Sequence, residues 1–263
     1  MALNIDACIA QHQGDRKEQQ DRVAILQHER KKGVALAVVA DGMGGHAGGA
    51  LAAEQVVHTA RNNLHQYSPE GETPFDLLHT SLLEAHTMIK ASRFINEKDP
   101  HSTGVLLLMQ PGKAAWAHCG DSRLYRFRGD QPFFRTCDHS YVEHLVRSGK
   151  ISPKEALTHP RRNVLMTSLG GREKPFITYD ESTDLQDGDS FLLCTDGLWG
   201  YFDDQELARI IHVSTAREAA GRLIDLARLR GHGGGDNVSI AIVKLVETAE
   251  PKAAPRFGAG RPV

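Results

Sequence analysis

Apolar residues along the chain come in short runs broken by glycine, proline and acidic residues, and the runs predict a mixture of strands and helices. Val34-Ala35-Leu36-Ala37-Val38-Val39-Ala40 reads as a strand that ends at Asp41-Gly42, with a glycine-rich turn after it. A helical pattern follows from about Ala50 to Leu64. A second helix places Phe75, Leu78, Leu82, Ala85 and Ile89 on one face at three- and four-residue steps. Val105 to Met109 and Ala114 to His118 predict strands joined by the turn Gln110-Pro111-Gly112-Lys113, and the second runs into Gly120-Asp121-Ser122-Arg123. Another hairpin is expected around Gly129-Asp130, between Leu124-Tyr125-Arg126-Phe127 and Phe133-Phe134.

Residues 139 to 172 predict two short helices, the second opened by Ser152, Pro153 and Glu155 as a capping box. A strand at Ser190 to Cys194 ends in Thr195-Asp196-Gly197. Two helices follow, each with a capping box, Asp203 with Glu206 and Thr215 with Glu218, the second closing at Gly231. The last strand, Val238 to Val246, is entered through Gly233-Gly234-Gly235-Asp236-Asn237. Strands before, between and after the helices, mostly as hairpins, predict an α+β fold with largely antiparallel sheets and helices on their faces. No Pro/Gly/Ser linker divides residues 1–247, which predicts one domain. Residues 248–263, rich in Pro, Ala and Gly with Lys252, Arg256 and Arg261, read as a disordered tail.

Composition narrows the function classes. With 263 residues, 40% of them hydrophobic, the chain is long enough for a sizeable core. A net charge of -2 supplies no general basic field for nucleic acid or an anionic membrane. No apolar run reaches the roughly 18–20 residues of a membrane span. Met1-Ala2-Leu3-Asn4-Ile5-Asp6 has no basic segment followed by an apolar one, so no signal peptide is expected and the cytoplasm is the predicted location. Cys8, Cys119, Cys137 and Cys194 form no C-x-x-C pair; those beside apolar residues read as small buried hydrophobes in a reducing compartment. The fourteen histidines form no H-E-x-x-H, and most are expected to be exposed.

One pattern carries chemistry. Asp41, Asp121, Asp196 and Asp236 each lie at an end of an apolar strand with glycine beside them. A single Asp-Gly is ordinarily a turn. Four in the same setting can converge, because strand ends at one edge of a sheet share the same space. Converging carboxylates repel and need a cation. Oxygen-only donors select hard ions, Mg²⁺ or Mn²⁺ over zinc, and Gly42 can add its carbonyl.

The segment Asp41-Gly42-Met43-Gly44-Gly45-His46-Ala47-Gly48-Gly49 resembles the signature of bacterial type 2C metal-dependent serine/threonine protein phosphatases. Gly120-Asp121-Ser122-Arg123-Leu124-Tyr125, Cys194-Thr195-Asp196-Gly197-Leu198 and Gly235-Asp236-Asn237-Val238 resemble later motifs of that family in order, and Arg16-Lys17-Glu18-Gln19-Gln20-Asp21 its first. The resemblance runs from about residue 6 to 246. It implies a four-layer α-β-β-α sandwich with the metal site at one end. It implies that Asp41 bridges two metals with Gly42 contributing its carbonyl, and that Asp196 and Asp236 complete the first. Asp21 would hold water on the second metal, and Asp121 with Asp196 a weaker third.

The implied reaction is hydrolysis of phosphoserine and phosphothreonine esters by a hydroxide bridging ions about 3.5–4 Å apart, without a covalent phosphoenzyme. Arg16 would grip the substrate phosphate through its two-pronged guanidinium; a surface ion pair is the plainer reading. His46 is the candidate proton donor to the leaving oxygen, with capping of the glycine-rich turn as its alternative. Phosphorylated proteins, a cognate kinase and its substrates are the implied partners in bacterial signalling, with the chain a monomer. Ser102-Thr103-Gly104 departs from the family's usual Gly-Thr-Thr, and altered packing is expected there. Gln20, where some relatives have a ligating glutamate, fits the bacterial branch. Residues 139–172 resemble the family's variable flap, where Arg161 and Arg162 can draw in phosphopeptides or stand as a solvated basic pair. Two other readings compete. A catalytically weak phosphoprotein-binding relative should have lost a metal ligand, and a two-metal nuclease should show more basic and aromatic surface than 6% aromatic residues supply.

Overall fold

The computed structural model describes residues 3–44, 47–96 and 99–247. The order is β1 (Leu3–His12), β2 (Arg22–Gln27), β3 (Ala35–Ala40), β4 (Gly42–Met43), α1 (Ala47–Gln66), α2 (Pro74–Asn96), β5 (His101–Ser102), β6 (Gly104–Gln110) and β7 (Lys113–Cys119). Then come β8 (Arg123–Arg128), β9 (Gln131–Arg135), α3 (Tyr141–Arg147), α4 (Pro153–Thr158), β10 (Thr178–Ser182) and β11 (Asp189–Cys194). The last four are α5 (Asp196–Trp199), α6 (Asp204–His212), α7 (Ala216–Gly231) and β12 (Val238–Glu247).

Two five-stranded sheets stack face to face, in the orders β1-β12-β11-β8-β9 and β10-β7-β6-β3-β2, and their paired strands are antiparallel. Alternation along β3 divides its residues between two cores. Leu36, Val38 and Ala40 face α1 and α2, while Ala37 and Val39 meet Phe191, Leu193 and Val243 of the other sheet. On the far side, Leu192, Cys194, Ile240 and Ile242 pack against α6 and α7. Central strands buried on both faces must be apolar at every position, which is why they stand out as unbroken runs. The architecture is the expected four-layer α-β-β-α sandwich.

Several local expectations change. Strands β1, β2 and β10 lie at sheet edges and carry half-exposed residues, and the apolar stretches of β1 and β2, Ala7 to Ala10 and Val23 to Leu26, are only four residues long. Phe75 is 42% exposed, because it lies in the first turn of α2 and stacks outward on His79 and edge-on to Tyr179. At Asp203 the cap is one-sided: its carboxylate accepts from the Glu206 amide, but the Glu206 side chain is held by Arg230. The boxes at Ser152 and Thr215 are complete. Gly231 remains helical, and His232 takes the left-handed position with φ 47°. Cys8 is half-buried, because it sits on the edge strand β1. The proposed tail, 248–263, lies outside the described residues.

The histidines also differ from expectation. Among the described residues His58, His65, His144, His212 and His232 are exposed, whereas His28, His86, His118 and His139 are buried. The buried rings pin loops: His28 Nε2 donates to the Tyr67 carbonyl at 2.9 Å, and His139 Nδ1 accepts from the Gly120 amide at 3.2 Å. Removal from water, with His118 stacked alongside, holds His139 neutral and pushes it down to about 3.

A buried ion cluster ties the strand β8 to β11. Asp189, fully buried, accepts from Arg126 at 2.6 Å and Arg128 at 2.9 Å. Asp189→Ala leaves Arg126 buried without its counter-charge, so a loss of about 3–5 kcal/mol is expected in denaturant unfolding.

Candidate metal centre

The antiparallel registers gather the chemistry at one end. Arg22 pairs with Ala40, Val39 with Val105 and Gly104 with Cys119, so the start of β2, the ends of β3 and β7 and the start of β6 lie together. In the other sheet Cys194 pairs with both Arg123 and Ile240, and His12 with Val238. Residues 120–122 connect the end of β7 to the start of β8, bringing the same ends of the two sheets together. Asp41, Asp121, Asp196 and Asp236 line one cleft of about 400 Å³ there, with Arg16 and Gln20 on its wall.

Asp41 and Asp121 are fixed through their backbones, and Asp236 through its carboxylate oxygens. The Asp41 amide donates to Thr103 Oγ1 at 3.0 Å, and its carbonyl accepts from the Thr103 amide at 2.9 Å and the Ser102 hydroxyl at 3.0 Å. Thr103 Oγ1 in turn lies 2.7 Å from Ser122 Oγ. The altered Ser102-Thr103-Gly104 motif therefore does more than repack: its hydroxyls hold the central carboxylate's backbone. Asp121 follows Gly120, whose φ of 102° and tight approach to Thr103 exclude a side chain. The Asp121 carbonyl accepts from Trp199 Nε1 at 3.0 Å, and Arg123, paired with Asp138 at 2.7 Å, lies 3.6 Å over the Trp199 ring. Asp196 opens α5, and a Cβ on Gly197 would stand 2.0 Å from the Asn237 carbonyl, so the two motifs touch through glycine. Asp236 Oδ1 accepts from the Asn237 amide at 2.8 Å, and Oδ2 from Arg16 at 2.5 Å.

Asp21 is placed differently from the other acids. It is 1% exposed and lies beneath the cleft, where Thr195 Oγ1 donates to it at 2.8 Å. His46 lies outside the described residues. Gly42 is buried on the cleft wall, and a Cβ there would come within 2.0 Å of the Gly49 carbonyl. In the segment 139–172, Arg161 rests 4.3 Å over the Tyr141 ring, and Asn163 and Leu165 reach the cleft. Thr103, Ser122, Thr195 and Asn237 escaped the sequence reading, although Thr195 and Asn237 each adjoin a motif aspartate.

The electrostatics report mutual repulsion. Desolvation, then the charges of Asp196 and Asp138, push Asp121 up to about 8. Desolvation raises Asp21 to about 7, and desolvation with Asp236 raises Asp196 to about 6. Asp41 rises well above the ordinary carboxylate range through desolvation and the charges of Asp21, Asp196, Asp121 and Asp236. A cation would relieve this repulsion, and the donors are all oxygen. Among the described residues no three His, Cys, Asp or Glu side chains form a ready-made metal cage.

The fold and the cleft have counterparts. Residues 10–225 match the family model for protein phosphatase 2C. The chain belongs to the protein phosphatase 2C family. Among relatives, it is 35% identical over 219 residues to the serine/threonine protein phosphatase PstP of Mycobacterium tuberculosis, covering 82% of this chain and 41% of that protein. It thus spans less than half of PstP's length. The catalytic domain of PstP in complex with two manganese ions superposes with a TM-score of 0.78 at 28% identity, covering 93% of this chain and 100% of that domain. The S. agalactiae serine/threonine phosphatase superposes with a TM-score of 0.84 at 27% identity, covering 93% of this chain and 100% of that one. These serine/threonine phosphatase structures thus share the sandwich fold of this chain.

The raised carboxyls set a sign for metal linkage. Between the ordinary aspartate range and about pH 8 the metal-free fold binds more protons than the unfolded chain, so these groups lower its stability as pH rises. A cation that needs the ionised forms binds better over the same interval. The Mn²⁺-induced rise in Tm should therefore be larger at about pH 8 than at about pH 5.5, read by thermal melting with and without chelator. An equal or reversed difference would remove these acids from the metal site.

Proposed function

We infer that this chain is a metal-dependent protein serine/threonine phosphatase, with residues 1–247 as its catalytic domain. The observation that carries the reading is the meeting of four strand-end carboxylates, Asp41, Asp121, Asp196 and Asp236, with Arg16 in one cleft. Two Mn²⁺ or Mg²⁺ ions fit the oxygen donors, with a more weakly held third at Asp121 and Asp196. When bound, the ions supply Lewis acidity for hydrolysis of a phosphate ester.

The chain's own groups divide the remaining work. Asp41, anchored by Ser102 and Thr103, would be the ligand shared by both ions, with the Gly42 carbonyl as a further donor. Asp196 and Asp236 complete the principal site, and Asp21 supports it from below through Thr195. Arg16, 61% exposed at the rim, presents two parallel donors suited to two phosphate oxygens. Water is the nucleophile, so no side chain becomes phosphorylated. His46 is the proton-donor candidate carried over from the motif.

Phosphoserine and phosphothreonine proteins are the substrates, as the names of PstP and the streptococcal relative support; a cognate kinase is the partner that such substrates imply. A monomer is the simplest assembly with this cleft open. The four free thiols, Cys8, Cys119, Cys137 and Cys194, support a cytoplasmic site. Among the described residues no helix is long and apolar enough to cross a membrane. The phosphoprotein-binding alternative has no support, since none of the four carboxylates is replaced.

Turnover of a phosphothreonine peptide should vanish in chelator and return with Mn²⁺ or Mg²⁺. Robust hydrolysis by metal-free protein would end this reading. Asp121→Ala separates turn from ligand. As a ligand of the weaker ion, Asp121 should be dispensable for two bound Mn²⁺ in calorimetry, yet its loss should remove most of kcat. Unchanged kcat with an unchanged metal count would leave Asp121 a turn residue, at a stability loss of about 1 kcal/mol.

A further inference from the structure

Arg16 must be held at a fixed distance from Asp236 if one is to grip phosphate while the other serves the metal. Its own side chain is largely in water, so packing does not fix it. Its backbone lies between β1 and β2, in residues 13–21, where no helix or strand forms. Gln13 Nε2 donates to the Arg16 carbonyl at 2.8 Å from within the loop, and other main-chain polar groups of the loop are held from outside.

Asn237 does so. Its Nδ2 donates to the Gln13 carbonyl at 2.7 Å and to the Glu18 carbonyl at 3.0 Å, one on each side of Arg16. Its Oδ1 accepts from the Gln20 amide at 2.7 Å. The side chain is nearly sealed, with the residue 5% exposed. Through its own amide the same residue donates to Asp236 Oδ1 at 2.8 Å. The two segments are more than 200 positions apart in sequence, yet one residue bonds to both.

Neighbouring contacts run the same way. The Asp15 amide donates to the Gly235 carbonyl at 2.9 Å, and the Gly235 amide returns a bond to Asp15 Oδ2 at 2.8 Å. Gly14, at φ 66°, lets the chain pass so close that a Cβ would stand 2.1 Å from the Asp236 carbonyl. Asparagine suits the central position because it offers two N–H donors and a carbonyl in one plane. Aspartate would turn an acceptor oxygen toward both the Gln13 and Glu18 carbonyls, and serine cannot span all three partners.

The geometry points to Asn237 as a positioning residue that sets the phosphate-gripping Arg16 in register with Asp236. This rests on the role proposed for Arg16. Asn237 touches neither phosphate nor metal in this account and acts through the loop's backbone.

The test is a double-mutant cycle on phosphothreonine peptide at saturating Mn²⁺, with inorganic phosphate as competitive inhibitor. Asn237→Ser removes the carboxamide but keeps the backbone amide on Asp236 and adds no charge; Asn237→Ala is measured beside it in case one variant folds poorly, with melting curves for all. Each single variant, and Arg16→Ala, should lower kcat/KM and weaken phosphate inhibition, by up to about 100-fold for a displaced positioning group. The double variants should be no worse than Arg16→Ala alone, within about twofold. Exchange of the Gln20 amide should speed up in both Asn237 variants. Losses that multiply in the double variants, or an unchanged inhibition constant in Asn237→Ser, would overturn the inference while leaving the phosphatase reading intact. Wild-type protein without Mn²⁺-dependent turnover would overturn both.

Discussion

Like charges kept close together and away from water govern this end of the molecule. Asp41, Asp121 and Asp196 are each pushed above the ordinary carboxylate range, and the shared causes are desolvation and one another. Such groups would swing apart if their backbones allowed it. Thr103 and Trp199 prevent that by bonding main-chain atoms of Asp41 and Asp121, and the Asn237 amide by holding the neighbouring Asp236 carboxylate, leaving proton or cation uptake as the way to relieve the repulsion. The sandwich supplies the rigidity. Strands buried on both faces cannot shift register without moving a whole row of side chains into the wrong core.

How much of this could be read from residues alone follows from burial. Strands β3, β6, β7, β11 and β12 were legible because apolar side chains are required on both faces. Strand β1 was not, since its pattern mixes half-buried and exposed positions at a sheet edge. Helix boundaries were legible where capping is local, as at Ser152 and Thr215. The cap at Asp203 departed from its pattern because Arg230, distant in sequence, claims Glu206. The four cleft aspartates could be found because each adjoins a glycine, which close passage of the chain requires at Gly42, Gly120 and Gly197. Their supports could not: Thr103 reaches Asp41 across 62 positions, and a lone threonine carries no mark of its partner. Asp21 and Asp121 share a residue type and a raised carboxyl, yet one lies beneath the cleft and the other lines it. That distinction appears only in three dimensions.

The pairing of β1 with β12 has a consequence for architecture. Leu3 lies opposite Glu247 while His12 lies opposite Val238, so the outer ends of the described chain meet at one pole and the cleft opens at the other. Ten residues of strand separate the poles by about 30 Å. The two ends are close enough to be joined by a short linker, and new termini could be cut elsewhere by circular permutation. A partner module joined directly at Leu3 or Glu247 would start on the pole away from the cleft, so a substrate could approach from the opposite side.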